Sequence, residues 1–345
     1  MEDNITNRKG NLKLKIDASL VAIIVNTLKC ILLFSLSIFL NLSQIYAANQ
    51  KTIAITEIVN HPSLIEAKKG ILDELKDNGY EEGKNLKIIY QNAQGSIANA
   101  ALIAKHFFSL KPDAIVPIST ASAQAILTKA QNNSDIPIVF SSVTDPVAAG
   151  LVHDLSTAEY IITGAIDSPP IKEEIELIKT ILPNIQRLGL LYNSGETNSL
   201  QTIKLIKDAI GNQLTIIEAT PTSTNNVAEA VKYLIGKVDA IYVPSDNVVF
   251  SALPKVIELS LQYKIPVFSS DPDSVREGFL ACVGYTQYEV GKTAGKLLVK
   301  ILNGDKFLKV QKPKQYEIVF NKVVAEKMGI KIPKLISGSE TKIIE

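Results

Sequence analysis

A chain of 345 residues that is 46% hydrophobic and 21% charged has the make-up of an ordinary globular protein long enough for two domains. Its formal net charge of +1 offers no basic excess for nucleic acid, so no nucleic-acid partner is expected.

The first 48 residues stand apart. Arg8, Lys9, Lys13 and Lys15 precede an apolar stretch at 20–25, Lys29 follows it, and residues 31–42 are apolar except for Ser35, Ser37 and Asn41. Small residues then lead to Ala47 and Ala48. A basic flank, a core of about a dozen apolar residues and a small-residue end describe a secretory signal, since a membrane span needs roughly 20 apolar residues. The expectation is a signal peptide over 1–48, cleaved after Ala47 or Ala48, and a periplasmic protein; an uncleaved anchor through 31–42 is the alternative. Cys30 precedes the apolar core, which is the wrong place for a lipid-attachment cysteine. Cys282 is then the lone cysteine of the mature domain, which excludes an intramolecular disulfide.

From Lys51 strand and helix patterns alternate. A strand at 52–58 is followed by a helix from His61-Pro62-Ser63 to about Asn78, with Leu64, Ala67, Ile71 and Leu75 on one face and Gly79 as its stop. Next come a strand at 86–90, a helix capped by Ser96 and running to Leu110, a strand at 114–118, a helix at 122–130 and a strand at 136–140. Continuous apolar strands between helices predict a parallel sheet covered on both faces. After a strand at 161–167, Ser168-Pro169-Pro170 breaks the pattern, and the first crossover between domains is placed there. The second half repeats the plan: strands at 187–192, 214–219, 240–243, 266–268 and 281–285, with helices at 171–182, 199–210, 227–235, 249–263 and 289–302. A strand at 316–320 and a helix at 323–328 finish the edge of one lobe or the other. The predicted division is 49–167 for lobe 1, completed by a segment near 286–345, and 168–285 for lobe 2.

One unit occurs twice. DAIVPISTASAQAI from Asp113 with the later IPIVFSSVTDP, and DAIYVPSDNVVFSAL from Asp239 with the later IPVFSSDP, each give a strand, a Ser-containing turn, a helix and a second strand ending in Ser-Ser and Asp-Pro. Two such halves face the carboxyl ends of their strands across a cleft, where ligands of open parallel sheets bind. The predicted fold is therefore α/β, with two doubly wound parallel-sheet lobes joined by crossover segments around a central cleft.

No phosphate loop, no GxGxxG after a strand and no ligand spacing among His61, His106 and His153 appears, so neither a cofactor, a metal nor an enzyme is expected. The loops that follow the strands instead supply hydroxyls, amides and carboxylates. They are Ser119 and Thr120; Ser141, Ser142, Thr144 and Asp145; Glu196, Asn198 and Ser199; Ser245, Asp246 and Asn247; and Ser270 with Asp271. Helix N-termini favour a ligand carboxylate, and Asp145 and Asp246 offset an ammonium. Each such residue alone also serves as a cap or turn former. Repetition at equivalent strand ends suits the set to a small zwitterion, with Asp246 meeting the ammonium and Ser119 and Thr120 the carboxylate.

His61-Pro62-Ser63-Leu64, Lys69-Gly70, Gly79-Tyr80-Glu81-Glu82-Gly83-Lys84-Asn85-Leu86, Asn92-Ala93-Gln94-Gly95, Pro137-Ile138-Val139-Phe140, Thr144-Asp145-Pro146-Val147-Ala148-Ala149-Gly150-Leu151-Val152 and Pro244-Ser245-Asp246-Asn247 together carry a resemblance. Over 51–333 the chain resembles the ABC-transporter substrate-binding family associated with tryptophan and tyrosine uptake. The resemblance implies a type I periplasmic-binding-protein fold whose lobes close over a small ligand, an amino acid, and hand it to a cognate ABC permease in the membrane. On matching positions it implies a pocket of Ser119, Thr120, Thr144, Asp145, Glu196, Asn198, Ser199, Asp246, Asn247 and Asp271. The chain lacks the family's lipid-anchor cysteine, and with no Trp in the sequence its aromatic contacts fall to residues such as Tyr192, Phe250 and Tyr285. The alternatives are a two-domain Rossmann-like enzyme acting on a sugar or nucleotide, which needs a catalytic acid or base in the cleft, and a membrane-anchored ligand sensor.

Overall fold

The computed structural model describes residues 26–29, 31–32, 50–130, 135–159, 161–331 and 341–345, in two compact units, Met1–Gln50 and Lys51–Glu345. In the first unit residues 26–29 and 31–32 are helical, and the expected signal otherwise lies outside the described residues. No described helix is long and apolar enough to cross a membrane.

The second unit opens with β1 (Lys51–Glu57), α1 (Pro62–Asp77), β2 (Leu86–Asn92), α2 (Ile97–Leu110), β3 (Ala114–Ile118), α3 (Thr120–Ala130), β4 (Ile138–Val143) and β5 (Ile162–Ile166). These strands form a parallel sheet in the order β2-β1-β3-β4-β5. Every residue of β3, β4 and β5 is buried, as a sheet with helices on both faces requires. Local chemistry sets the helix ends. Pro62 starts α1, where its missing N–H has no partner to lose, and Ser96 Oγ accepts from Asn99 N to cap α2.

The chain continues through α4 (Ile171–Ile181), β6 (Arg187–Leu191), α5 (Thr197–Ile210), β7 (Thr215–Ala219), α6 (Val227–Leu234), β8 (Ala240–Val243), α7 (Asn247–Ser251), α8 (Leu253–Tyr263), β9 (Val267–Ser269), α9 (Pro272–Glu277), β10 (Ala281–Gly284), α10 (Gln287–Leu302), β11 (Glu317–Asn321), α11 (Lys322–Met328) and β12 (Thr341–Ile344). Its sheet runs β12-β11-β10-β9-β8-β6-β7. Ile175, Ile178, Ile203 and Tyr242 pack on one face and Val231, Leu234, Val249 and Val256 on the other, giving the second lobe a core on each side of its sheet.

Three details depart from the sequence reading. The expected helix at 249–263 is two helices that break at Ala252, because Pro254 at the second position of α8 has no N–H to continue the ladder. β11 lies antiparallel to β10, so the second sheet is not wholly parallel. β12 was not anticipated; it pairs with β11 through a four-residue edge.

The chain passes between lobes at 167–170, at 285–286 and at 303–316, and these passages divide the segment 286–345. α10 buries Val290, Ala294, Leu297 and Leu298 in the first lobe's core, whereas β11 and β12 extend the second sheet. On its way back the third passage is stitched to β5, with Gln311 N donating to Gly164 O at 2.9 Å and Ile166 N donating to Gln311 O at 2.7 Å.

Candidate functional site

Both sheets point the carboxyl ends of their strands at one cavity, whose empty space, with the solvent at its mouth included, is about 340 Å³. From the first lobe come Ser119 after β3, Ser142 and Thr144 at the end of β4, Thr120 at the start of α3, and His61, Ser63 and Leu64 at the start of α1. The second lobe contributes Asn198, Ser245, Asn247 and Phe250, the first passage between lobes adds Asp167, and the start of α10 adds Gln287.

The lobes are closed on each other. Ser63 Oγ donates to Asp271 Oδ2 at 2.5 Å, His61 Nε2 lies 3.3 Å from Asn247 Oδ1, and Gln201 Nε2 donates to Asp145 Oδ2 at 3.1 Å. Gln124 Nε2 reaches Thr197 Oγ1 at 3.4 Å further along the same seam. Each bond joins residues of different lobes, so opening the cleft breaks all four.

Two of the six non-glycine residues with positive φ among the described residues line the cavity. Ser119 has φ +90° and Ser142 φ +56°, in the region that residues with a Cβ rarely occupy, and both line the site. Ser142 Oγ in turn donates to Gln287 Oε1 at 2.7 Å, and Gln287 Nε2 donates to Asp167 Oδ2 at 2.7 Å. Gln287 thereby fixes Asp167, the one carboxylate among the cavity's lining residues. Burial pushes the Asp167 carboxyl up to about 6 against the pull of the Gln287 bond, with Asp273 adding to the rise.

Several polar atoms of lining residues have no hydrogen-bond partner in the protein among the described residues: Thr120 Oγ1, Asn198 Oδ1 and His61 Nδ1. Asn198 directs its amide N–H groups to Ser245 O at 2.8 Å and Glu196 Oε2 at 3.2 Å, which leaves Oδ1 as a bare acceptor. Thr120 stands at the N-terminus of the eleven-residue α3, where backbone N–H groups and the helix dipole favour an anion. The cavity therefore holds donors and a helix end suited to a carboxylate, acceptors suited to an ammonium, and an apolar wall of Leu64 and Phe250.

The ten residues expected from the sequence divide evenly. Ser119, Thr120, Thr144, Asn198 and Asn247 line the cavity. The other five brace it and do not line it. Asp145 accepts from Val147 N and Ala148 N in its own turn; Glu196 holds Asn247 N, Asn247 Nδ2 and Val248 N; Asp271 caps α9 through Asp273 N and Ser274 N. Ser199 Oγ donates to Asp246 Oδ2 at 2.6 Å. Asp246, expected to meet an ammonium, is fully buried and also accepts from Val249 N and Asn193 N, so its oxygens are committed to the protein.

Among the expected aromatics, Phe250 lines the cavity, while Tyr192 donates to Glu218 and Tyr285 packs on Tyr316. Sequence reasoning missed Asp167, in the first passage, and Gln287, at the start of α10; the repeated units include neither. His61, Ser63 and Leu64 were visible as a helix start and as part of the family resemblance, but not as site residues.

Comparison with known proteins agrees with this geometry. A profile of the family described as ABC transporter substrate binding protein matches residues 52–344. A tyrosine-binding protein of Clostridioides difficile is 40% identical over 256 residues, 74% of this chain and 73% of the relative. An ABC domain of Streptococcus pneumoniae solved in complex with L-Trp is 33% identical and has a TM-score of 0.80, over 86% of this chain and 100% of the other. The ligand-free, open form of a substrate-binding protein from Clostridium difficile, 34% identical, gives 0.63 over 86% of this chain and 99% of the other. At equal identity the fit is better to the ligand-bound relative than to the open one, as the closed seam requires. The lobes have the type I periplasmic-binding-protein fold, and the chain belongs to the ABC transporter substrate-binding protein family, whose members bind solutes and are not enzymes.

Proposed function

We propose that this protein captures an aromatic amino acid between its lobes and presents it to a membrane permease for import. The carrying observation is the division of the cavity. Ser119, Thr120, Thr144 and the start of α3 suit a carboxylate, Asp167 and Asn198 Oδ1 suit an ammonium, and Leu64 and Phe250 suit an apolar side chain. The tyrosine- and tryptophan-binding relatives support the same reading. Binding would stabilise the closed seam, and only the ligand's greater affinity for the closed state can shift that equilibrium. Substrate-binding proteins of this family work outside the cytoplasm, and export here would use the apolar segment at 31–42. The pocket is proposed as Ser119, Thr120, Thr144, Asn198 and Asn247 with Asp167, Gln287 and Phe250; the lobes are proposed to span 49–167 and 168–285, with α10 in the first.

Calorimetric titration of the domain with tyrosine, tryptophan and phenylalanine, beside their deaminated analogues and a panel of sugars, tests the proposal. Amino acids should bind and the deaminated analogues should be at least thirtyfold weaker, the loss expected on removing one member of a buried charge pair. Binding by sugars alone would overturn it.

A further inference from the structure

We propose that His61 reads a hydrogen-bond donor carried on the ligand's ring, so that the site selects phenol- and indole-bearing amino acids over phenylalanine. This rests on the amino-acid reading of the cavity and adds which aromatic side chains it accepts.

The proposal follows from a chain of donors and acceptors whose directions are forced. Glu196 Oε1 accepts from Val248 N at 3.1 Å, and Oε2 accepts from Asn247 N at 3.1 Å and Asn247 Nδ2 at 2.6 Å. A carboxylate facing backbone N–H groups acts as acceptor, so the Asn247 amide must turn its NH₂ to Glu196 and its oxygen the other way. That oxygen lies 3.3 Å from His61 Nε2. Because Oδ1 only accepts, Nε2 of a neutral imidazole must carry the hydrogen, and Nδ1 must carry the lone pair. The ring is buried and stays neutral, its pKa pushed down to about 4 by burial in spite of the Asn247 bond.

Nδ1 therefore presents a fixed acceptor, and it has no donor among the described residues. The ring is held edge-on to Phe250, with centroids 5.5 Å apart and planes at 87°, and flipping it within that plane breaks the bond across the seam. Leu64, one helical turn further along α1, and Phe250 line the same cavity beside His61. A buried acceptor beside such apolar side chains is satisfied by a ligand hydroxyl or ring N–H and left bare by a plain phenyl ring. A site built around such an acceptor discriminates against the analogue that lacks the donor.

Titrating the whole protein with L-tyrosine, L-tryptophan, L-phenylalanine, O-methyl-L-tyrosine and 1-methyl-L-tryptophan tests the proposal without any mutation. Tyrosine or tryptophan should bind about tenfold or more tighter than phenylalanine, and methylating the oxygen or the ring nitrogen should abolish that advantage. In the His61→Phe variant, which keeps an aromatic ring on Phe250 but loses the seam bond to Asn247, every amino acid should bind several-fold weaker, and the preference for tyrosine and tryptophan over phenylalanine should be lost. Equal wild-type binding of phenylalanine and the donor-bearing pair overturns the proposal, as does a variant that binds and keeps the preference. Failure of all these amino acids to bind overturns the amino-acid reading itself, and the proposal with it.

Discussion

Ser63 and Asp271 meet across the seam between the lobes, with Ser63 Oγ donating to Asp271 Oδ2 at 2.5 Å while Asp271 also caps α9. The bond exists only when the cleft is closed, so its energy belongs to closure and not to either lobe's folding. A single buried hydrogen bond contributes about 1 kcal/mol net. Ser63→Ala is therefore expected to weaken ligand binding about fivefold and to leave the ligand-free melting temperature nearly unchanged. Calorimetry and thermal melting check both halves, and a lowered melting temperature with unchanged affinity would place the bond in folding instead.

The first lobe depends on a helix pair that has no room for a side chain. A Cβ on Gly291 of α10 would lie 2.0 Å from Ala67 O of α1, and one on Gly70 of α1 would lie 2.2 Å from Tyr288 O. Overpacking of a close contact costs about 1–3 kcal/mol, and here the obstruction is backbone. Gly291→Ala is expected to lower the melting temperature by several degrees. An unchanged melt would mean that the two helices separate freely, against the shared core that α10 forms with the first sheet.

Much of this fold was legible because its strands are short apolar runs between amphipathic helices, and the helix starts at Pro62 and Ser96 carry their own chemical signals. The break at Ala252 escaped a pattern based on apolar spacing, since Leu253 and Val256 continue the face across it. Half of the pocket was legible for a related reason: Ser119, Thr144 and Asn247 follow strands. The residues that face inward and those that brace them share composition and location, and only the paths of the loops separate Asp167 from Asp246. Asp167 was hidden because its function depends on Gln287, 120 positions away.

Buried acids set an unusual dependence of stability on pH. Burial pushes Glu174 up to about 8, Asp167 up to about 6 and Asp246 up to about 7, and it also raises Asp271 and Asp273. A carboxyl whose folded-state pKa is raised gives stability that is complete below its unfolded value near 4 and is lost as pH rises through the folded value. His61, pushed down to about 4, acts oppositely: its contribution is present above 6.5 and is lost as pH falls toward 4. Glu174 and Asp246 are bonded within the second lobe whether the cleft is open or closed, so the ligand-free protein should melt highest near pH 5 and lose on the order of a few kcal/mol by pH 8. Glu174 sits behind the second sheet, donated to by Tyr242, and Glu174→Gln should flatten the profile across the interval from its ordinary value near 4.5 up to about 8. A melting temperature that rises steadily from pH 5 to 8 would contradict this.

Asp246 and Asp167 are both buried acids at the carboxyl ends of strands, yet their surroundings assign them opposite tasks. Asp246 accepts from Val249 N, Asn193 N and Ser199 Oγ and so ties the start of α7 to the loop after β6. Replacing it leaves donors without a partner, each costing about 1–3 kcal/mol, while the cavity wall remains. Asp246→Asn keeps the size and the helix cap but loses one acceptor; it should lower the melting temperature by several degrees and change ligand affinity by less than about threefold. Asp167 has one protein donor, Gln287, and a place in the cavity wall. Asp167→Asn should leave the ligand-free melt equal or higher, because a buried charge is removed, and should weaken amino-acid binding thirtyfold or more. Measuring both quantities for both variants gives a crossed pattern. The reverse pattern, with affinity lost in Asp246→Asn and kept in Asp167→Asn, would return the ammonium to Asp246.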